Sequence, residues 1–177
     1  RPGLPPQVRD ELARAHQLMR DQQFAPAAEA FERLSKMAEA HDMPIRAADL
    51  GLQASRAWFA ADQVDKSLVW IKSSLRLFVQ GGQVDRLPRL LSKMLAALRA
   101  QGYQAEADDL EQTARQFLDR MGVSWDDLVA DAALPERRGS LPASCAGCGA
   151  ALVPDEVLWH DAVTAECPYC GTLAKAA

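Results

Sequence analysis

The sequence has few aromatic residues and no long hydrophobic run. Phe, Trp and Tyr make up 6% of the 177 residues, whereas all-β proteins draw heavily on aromatic and β-branched side chains. No uninterrupted apolar segment approaches the roughly 20 residues that a helix needs to cross a bilayer, and no apolar signal-peptide core follows the N-terminus. We therefore expect neither an all-β fold nor a membrane span. The chain begins at Arg1 rather than at methionine, which leaves open an upstream segment such as a tag or an anchor.

The sequence also lacks an excess of positive charge. Lys and Arg number 20 against 24 Asp and Glu, which gives a formal net charge of -4. Non-specific binding to phosphates needs a positive field, so a general nucleic-acid clamp is disfavoured. Apolar residues at 49% and charged residues at 25% are close to the globular average. Because many of the apolar residues are alanines, the composition predicts a mainly α fold.

Helical periodicity recurs along most of the chain at an interval of about 40 residues. Phe24 and Val64 are 40 positions apart, and Val64 and Tyr103 are 39 apart. The residues before them show the same shifts, and each stretch has apolar residues at a period of about 3.6. The sequence therefore predicts three helical hairpins, with the third offset by one residue.

Composition divides the chain into three predicted regions. The helical-repeat domain covers residues 7–133, with Ser124 capping a short final helix that runs to Ala133. Two prolines, a glycine and the loss of periodicity indicate a linker over 134–142. The remaining domain, 143–174, is too short to bury a core without a metal ion or disulfides.

All four cysteines lie in that last domain, in two Cys-x-x-Cys pairs. Cys145 and Cys148 are separated from Cys167 and Cys170 by the 18 residues 149–166. This spacing favours one four-thiolate metal site over two vicinal disulfides, and free thiolates indicate a reducing compartment, so we expect a cytoplasmic protein. Four thiolates leave no open coordination position, so the ion would be structural. Zn²⁺ is favoured, and an electron-transferring iron ion with the same ligands stays an alternative.

The helical part resembles the tetratricopeptide repeat family. Phe24, Ala27 and Phe31, following Ala15 and Leu18, match its pairing of a small residue with a larger one from the partner helix. The resemblance covers about residues 7–121 and implies a short right-handed stack of three hairpins. The unit here is 39 to 40 residues instead of about 34, and Arg14 stands at the helix-A leucine position.

The tail resembles the zinc-ribbon family, because each Cys-x-x-Cys pair is followed by a glycine, Gly149 or Gly171. That resemblance implies a small β domain in which each pair forms a knuckle at a hairpin turn. Helical repeats followed by a four-cysteine domain also resemble the lipopolysaccharide assembly protein B family, whose rubredoxin-type tail docks on its repeats. The gap between the pairs is longer here and the repeats are fewer.

A tetratricopeptide-like register implies a concave groove lined by the first helix of each hairpin. Its mixture of apolar and arginine side chains suits a peptide or helix better than a small metabolite. The implied positions are Leu12, His16, Met19, Arg20, Leu52, Arg56, Phe59, Leu91, Leu95 and Arg99. Trp159 of the ribbon is a further candidate contact. Alternatively, the ribbon or the final helix covers the leucines of the third hairpin, because repeat ends must be capped.

Catalytic signatures are missing from the sequence. It contains no glycine-rich phosphate loop, His-Glu-x-x-His or Gly-x-Ser-x-Gly pattern, and neither His16 nor His41 has a plausible nucleophile partner. We expect a non-enzymatic protein-interaction scaffold or adaptor. The alternative is a regulatory zinc-ribbon protein that binds nucleic acid or transcription machinery, although Lys175 is the only Lys or Arg after residue 143.

Overall fold

The computed structural model describes residues 5–126, 139–154 and 156–177. These residues form six α-helices and a three-stranded antiparallel sheet, which confirms a mainly α chain with a small C-terminal β region. The helices are α1 (Pro6–Arg20), α2 (Phe24–Ala40), α3 (Pro44–Ala60), α4 (Val64–Gln80), α5 (Leu87–Ala100) and α6 (Gln104–Arg120). The strands are β1 (Leu158–Trp159), β2 (Thr164–Glu166) and β3 (Leu173–Lys175), in the order β1-β2-β3. No helix in the described residues combines the length and apolar character of a membrane span.

Every one of these helices ends in the same turn. The residue after the helix cap has a positive φ, and the next N–H donates back to a carbonyl five residues earlier, as from Gln23 to Leu18 at 2.9 Å. This closure satisfies carbonyls at the helix end that lack intrahelical partners. The positive-φ residues are Gln22, Asp42, Asp62, Gly82, Gly102 and Gly122.

These turns correct the predicted offset of the third hairpin. Their positions, 22, 42, 62, 82, 102 and 122, keep one constant spacing, so the hairpin interval is 40 residues throughout. Tyr103 is the N-cap of α6 and therefore matches Gln63 rather than Val64. Likewise, Leu95 is the buried counterpart of Ala15 and Ser55, at intervals of 40 residues.

The described residues fall into two compact units. The first contains α1 to α3, α4 as far as Leu77, and the C-terminal residues from 139 onward, and the second covers 78–126. The predicted domains, 7–133 and 143–174 with a linker at 134–142, stay a prediction. Residues 127–133 of the predicted final helix and 134–138 of the linker lie outside the described residues.

The ordered C-terminal domain is longer than 143–174. Gly139 donates its N–H to the carbonyl of Ala162 at 3.1 Å, and Ser140 and Ala177 exchange two backbone hydrogen bonds of 3.0 Å. These hydrogen bonds join Gly139 and Ser140 to residues next to the three strands. We refer to residues 139–177, as far as they are described, as the ribbon.

Small residues let the helices of the first unit approach closely. Eight alanines of α2 and α3 are at most 4% exposed, and Phe31 is fully buried. Trp58 and Trp70 both donate their indole N–H to Oε1 of Glu32, each at 2.6 Å. In the second unit α5 and α6 pack mainly through leucines instead. The core of each unit is thus apolar. In the first unit it also includes the hydrogen bonds from Trp58 and Trp70 to Glu32.

Candidate metal centre

The four cysteines come together as their spacing predicted. Their sulfur atoms all lie within 4.8 Å of one another, and no disulfide links them. Sγ of Cys145 is 3.5 Å from Sγ of Cys170, and Sγ of Cys148 is 3.8 Å from Sγ of Cys167. A tetrahedral ion with bonds of about 2.3 Å would hold its sulfurs about 3.8 Å apart. The donor set and its spacing therefore fit a metal ion with four thiolate ligands.

The two cysteine pairs adopt the same backbone loop. The N–H of the first cysteine donates to the carbonyl five residues later, from Cys145 to Ala150 at 2.7 Å and from Cys167 to Thr172 at 2.9 Å. The glycine after each pair, with φ of 72° at Gly149 and 77° at Gly171, donates back to the first cysteine's carbonyl at 2.9 Å. A positive φ is readily available to glycine. We refer to 145–149 as the first knuckle and 167–171 as the second.

Hydrogen bonds among the sulfurs divide the thiols into two kinds. Those from Cys148 and Cys167 hold the pKa of Cys170 far below its ordinary value, and the bond to Cys148 raises the pKa of Cys167. The pKa of Cys148 is raised to about 12, since its bond with Cys167, which lowers it, is outweighed by its bond to Cys170 and by burial. Cysteine binds metal ions as the thiolate, so metal binding would displace the protons of these thiols.

The ribbon docks on the helices of the first unit through an ion pair. Nη1 and Nη2 of Arg56 in α3 donate to the two carboxylate oxygens of Glu156 at 2.8 and 2.5 Å. The Glu156 side chain is only 10% exposed and that of Arg56 is 34% exposed. Burial lowers the pKa of Arg56, but the hydrogen bond to Glu156 contributes to a net rise. Two parallel charge-assisted bonds also fix the orientation of the partners.

Tyr169, inside the second knuckle, makes the next docking contact. Its hydroxyl accepts a hydrogen bond from the Gln53 amide of α3, and its ring centroid lies 5.2 Å from that of His16 in α1. His16 also meets Phe31 edge-on at 5.0 Å. Burial, followed by the charge of Arg20, lowers the pKa of His16 to about 4, so the imidazole is neutral at pH 7.

Arg20 connects α1 to the first knuckle. Its Nη1 donates to the carbonyl of Gly149 at 3.0 Å. A cleft of about 530 Å³ stays open beside this contact, with Met19, Arg20 and Arg56 on the helix side and Val153 on the ribbon side. The ribbon thus occupies part of the face that the sequence had assigned to a groove.

The other predicted groove positions have varied surroundings. Leu12, Leu52, Leu91 and Leu95 are buried in the cores, and Phe59 is half-buried. Arg99 pairs within its own hairpin, with Asp108 at 3.0 Å and Glu111 at 2.8 Å. Trp159 is half-buried in β1 and donates its indole N–H to the carbonyl of Pro154 at 2.8 Å. Partner binding at these positions stays a prediction.

Three residues of the docking contact were not singled out from the sequence: Gln53, Glu156 and Tyr169. Glu156 follows the described residue Pro154 by two positions and belongs to no motif, and Gln53 lies on a helix without a distinguishing pattern. Tyr169 gave the one available signal, since an aromatic residue between the two cysteines of a Cys-x-x-Cys pair is placed to pack against a neighbouring surface. Its 4% exposure agrees with that position.

Comparison with protein-family models, curated proteins and solved structures finds no match to this chain. The geometry of the described residues is therefore the basis for interpreting the site. It provides a closed set of four sulfurs and a ribbon held on α1 and α3 by Arg20, Gln53 and Arg56.

Proposed function

We propose that this chain is a non-enzymatic protein-interaction subunit whose ribbon is folded by a structural Zn²⁺. The observation that carries the proposal is the mutual approach of four cysteine sulfurs within 4.8 Å. With all four as ligands, a tetrahedral ion has no position for water or substrate, and its contribution is to folding. Cys145, Cys148, Cys167 and Cys170 would hold the ion.

The docked ribbon supports a role in protein recognition. The chain's own helix face holds a folded segment by arginine and glutamine side chains, of which Arg is enriched at protein interfaces. The adjoining cleft of about 530 Å³ combines Met19 with Arg20 and Arg56, which suits an extended segment carrying apolar and acidic side chains. Tetratricopeptide-like stacking of the three hairpins would extend this face into a groove, as the resemblance implies.

Metal analysis of the purified full-length chain tests the first part of the proposal. We expect one zinc ion per chain and a colourless protein. Stoichiometric iron with visible thiolate absorption would contradict zinc and favour electron transfer. Loss of the ion on replacing Cys148 by serine would assign the ligand set.

A pair of methionine variants tests the second part. Met19 lines the cleft, whereas Met37 is exposed on α2 at 37%. We expect proteins that co-purify with the chain from its own cells to be retained by Met37→Glu and lost by Met19→Glu, with zinc content unchanged in both. No partner above background, or equal retention by both variants, would contradict the assignment of the cleft.

A further inference from the structure

Each knuckle of the ribbon faces a guanidinium group from a helix. A Cβ placed on Gly149 would lie 3.4 Å from Nη1 of Arg20, and one placed on Gly171 would lie 3.3 Å from Nη2 of Arg46. Arg20 is at the end of α1 and Arg46 is in the first turn of α3. Two helices from different hairpins thus place one arginine at each of two knuckles that have the same backbone loop.

These glycines stand directly next to metal ligands. Gly149 follows Cys148, and Gly171 follows Cys170. Because neighbouring Cα atoms are about 3.8 Å apart, each guanidinium lies close enough to the sulfurs for charge–charge interaction within the about 10 Å screening length of 0.1 M salt. The contacts are not with the sulfurs themselves, so the arginines would act on the site through their charge.

The charge of a closed four-thiolate site gives these arginines a role. A divalent ion with four thiolates carries two net negative charges, and this excess must be balanced when the site is partly buried. Within the ribbon the balance is limited: the Gly147 N–H donates to Sγ of Cys145 at 3.3 Å, and Oγ1 of Thr172 lies 3.1 Å from Sγ of Cys170. Glu166 adds further negative charge, with Oε1 3.4 Å from the Cβ position of Gly171.

The partners of Arg20 leave its charge available. Its guanidinium donates to the Gln17 amide oxygen and to the Gly149 carbonyl, which are neutral groups. Arg46 donates to the sulfur of Met43 at 3.8 Å, which is neutral as well. Arg56 differs from both, because the Glu156 carboxylate neutralises it.

We infer that Arg20 and Arg46 belong to the metal centre as charge-balancing positioning residues, so that the helices set the metal affinity of the ribbon. This inference rests on the zinc ion of the proposed function. By linkage, whatever the docked helices add to metal affinity, the metal adds to the stability of docking. The helical domain and the ribbon would then bind metal as one unit.

Competition for zinc between the full-length chain and a chromophoric chelator tests the inference. Groups around a metal site commonly contribute 10- to 100-fold in affinity, and because Arg20 is exposed we expect about a tenfold loss for R20Q/R46Q. R20K/R46K keeps the charge and should recover most of that loss. Arg33→Gln is the matched control, since Arg33 is an exposed arginine of the same unit that pairs with Glu11 at 3.4 Å.

The salt dependence separates charge balance from simple packing. At 1 M salt the screening length falls to about 3 Å, and the difference between the wild type and R20Q/R46Q should shrink. Unchanged affinity in R20Q/R46Q, an equal loss in the lysine variant, or a loss that does not respond to salt would overturn the inference. A wild-type chain that takes up no zinc would overturn the proposed function itself.

Discussion

The two compact units of this chain bury polar groups to different degrees. In the first unit Gln53, Glu156 and His16 are each no more than 9% exposed and lie where α1 and α3 meet the ribbon. In the second, the charges of Arg99, Glu111 and Arg115 form ion pairs on the helix surface. Buried polar groups are costly without partners, whereas exposed pairs contribute little. In the first unit the ribbon therefore provides partners for buried polar side chains. The described residues of the second unit show no comparable buried polar contact.

Comparing residues that lie 40 positions apart in the sequence shows the same difference. His16 corresponds to Arg56 and then to Ala96, and Gln53 corresponds to Lys93. The residues that contact the ribbon in α1 and α3 are thus replaced in α5 by a small residue and a lysine. Equivalent positions of the 40-residue interval therefore carry side chains of different chemistry.

Removal of the metal should produce the largest difference between the two units. Small zinc domains gain about 10 kcal/mol or more of folding free energy from their ion. With a chelator, we expect hydrogen–deuterium exchange over 139–154 and 156–177 to approach that of an unfolded chain, with smaller increases at α1 and α3. Amides of α5 and α6 serve as the internal control. Unchanged protection of the ribbon would show that it folds without metal.

Acidification should weaken the first unit through His16. Its pKa is about 4 in the folded chain against an ordinary 6.5, so the unfolded chain binds more protons between these values. Stability should be full above pH 6.5 and fall as the pH drops toward 4, by about 2–3 kcal/mol in all.

The pH effect can be measured by urea unfolding at pH 7.0 and 5.5, with zinc content checked at both values because thiolates also bind protons. His16→Gln should show a smaller loss between the two pH values than the wild type. An equal loss of stability in the wild type and in His16→Gln would show that groups other than His16 cause it.

Replacing Glu156 by glutamine should have the next largest effect. The Arg56 guanidinium would then face a neutral amide in a partly buried site. Since a third of that side chain is exposed, we expect a loss of about 1–2 kcal/mol rather than the full cost of a broken buried pair. Glu11→Gln, which breaks the exposed pair with Arg33, is the control and should cost less than about 0.5 kcal/mol. Equal effects in urea unfolding would contradict a special role for docking.

The smallest effect is expected for Glu111→Gln in the second unit. Arg99, and then Arg115, lower the pKa of the Glu111 carboxyl from 4.5 by hydrogen bonding. The stability that this gives is present above pH 4.5 and is lost as the pH falls below it. Because the pairs are exposed, we expect a change in thermal unfolding smaller than that of Glu156→Gln, and smaller still at high salt. A larger change than that of Glu156→Gln would contradict the proposed difference between buried pairs in the first unit and exposed pairs in the second.

Local patterns predicted most of the helical fold. The apolar period located all six helices, but it misplaced the third hairpin by one residue, because Tyr103, the N-cap of α6, was aligned with Val64, the first residue of α4. The turns at Gln22, Asp42 and Asp62 gave no clear signal, since only glycine is a reliable marker of positive φ. β3 was not predicted, because three residues are too few to show alternation.

The candidate site was likewise predictable only where its residues are close together in the sequence. The cysteine spacing was sufficient to predict the cluster, since both pairs are local motifs. The helix period also brought His16, Arg20 and Arg56 to one face. What they contact could not be predicted, because Arg56 and Glu156 are 100 residues apart and Arg20 and Gly149 are 129 apart. A sequence pattern that spans a few residues does not predict a contact between residues this far apart in the chain.

The constant spacing of the left-handed turns has a consequence for how such a chain can change in length. Duplicating the 40-residue block 24–63 would insert one helix pair, α2 and α3, and would leave the spacing of the turns unchanged. One residue more or less inside a helix would rotate the rest of that helix by about 100° relative to its earlier turns, since each residue of an α-helix turns by that amount. Growth in whole helix pairs is therefore the step that preserves this spacing.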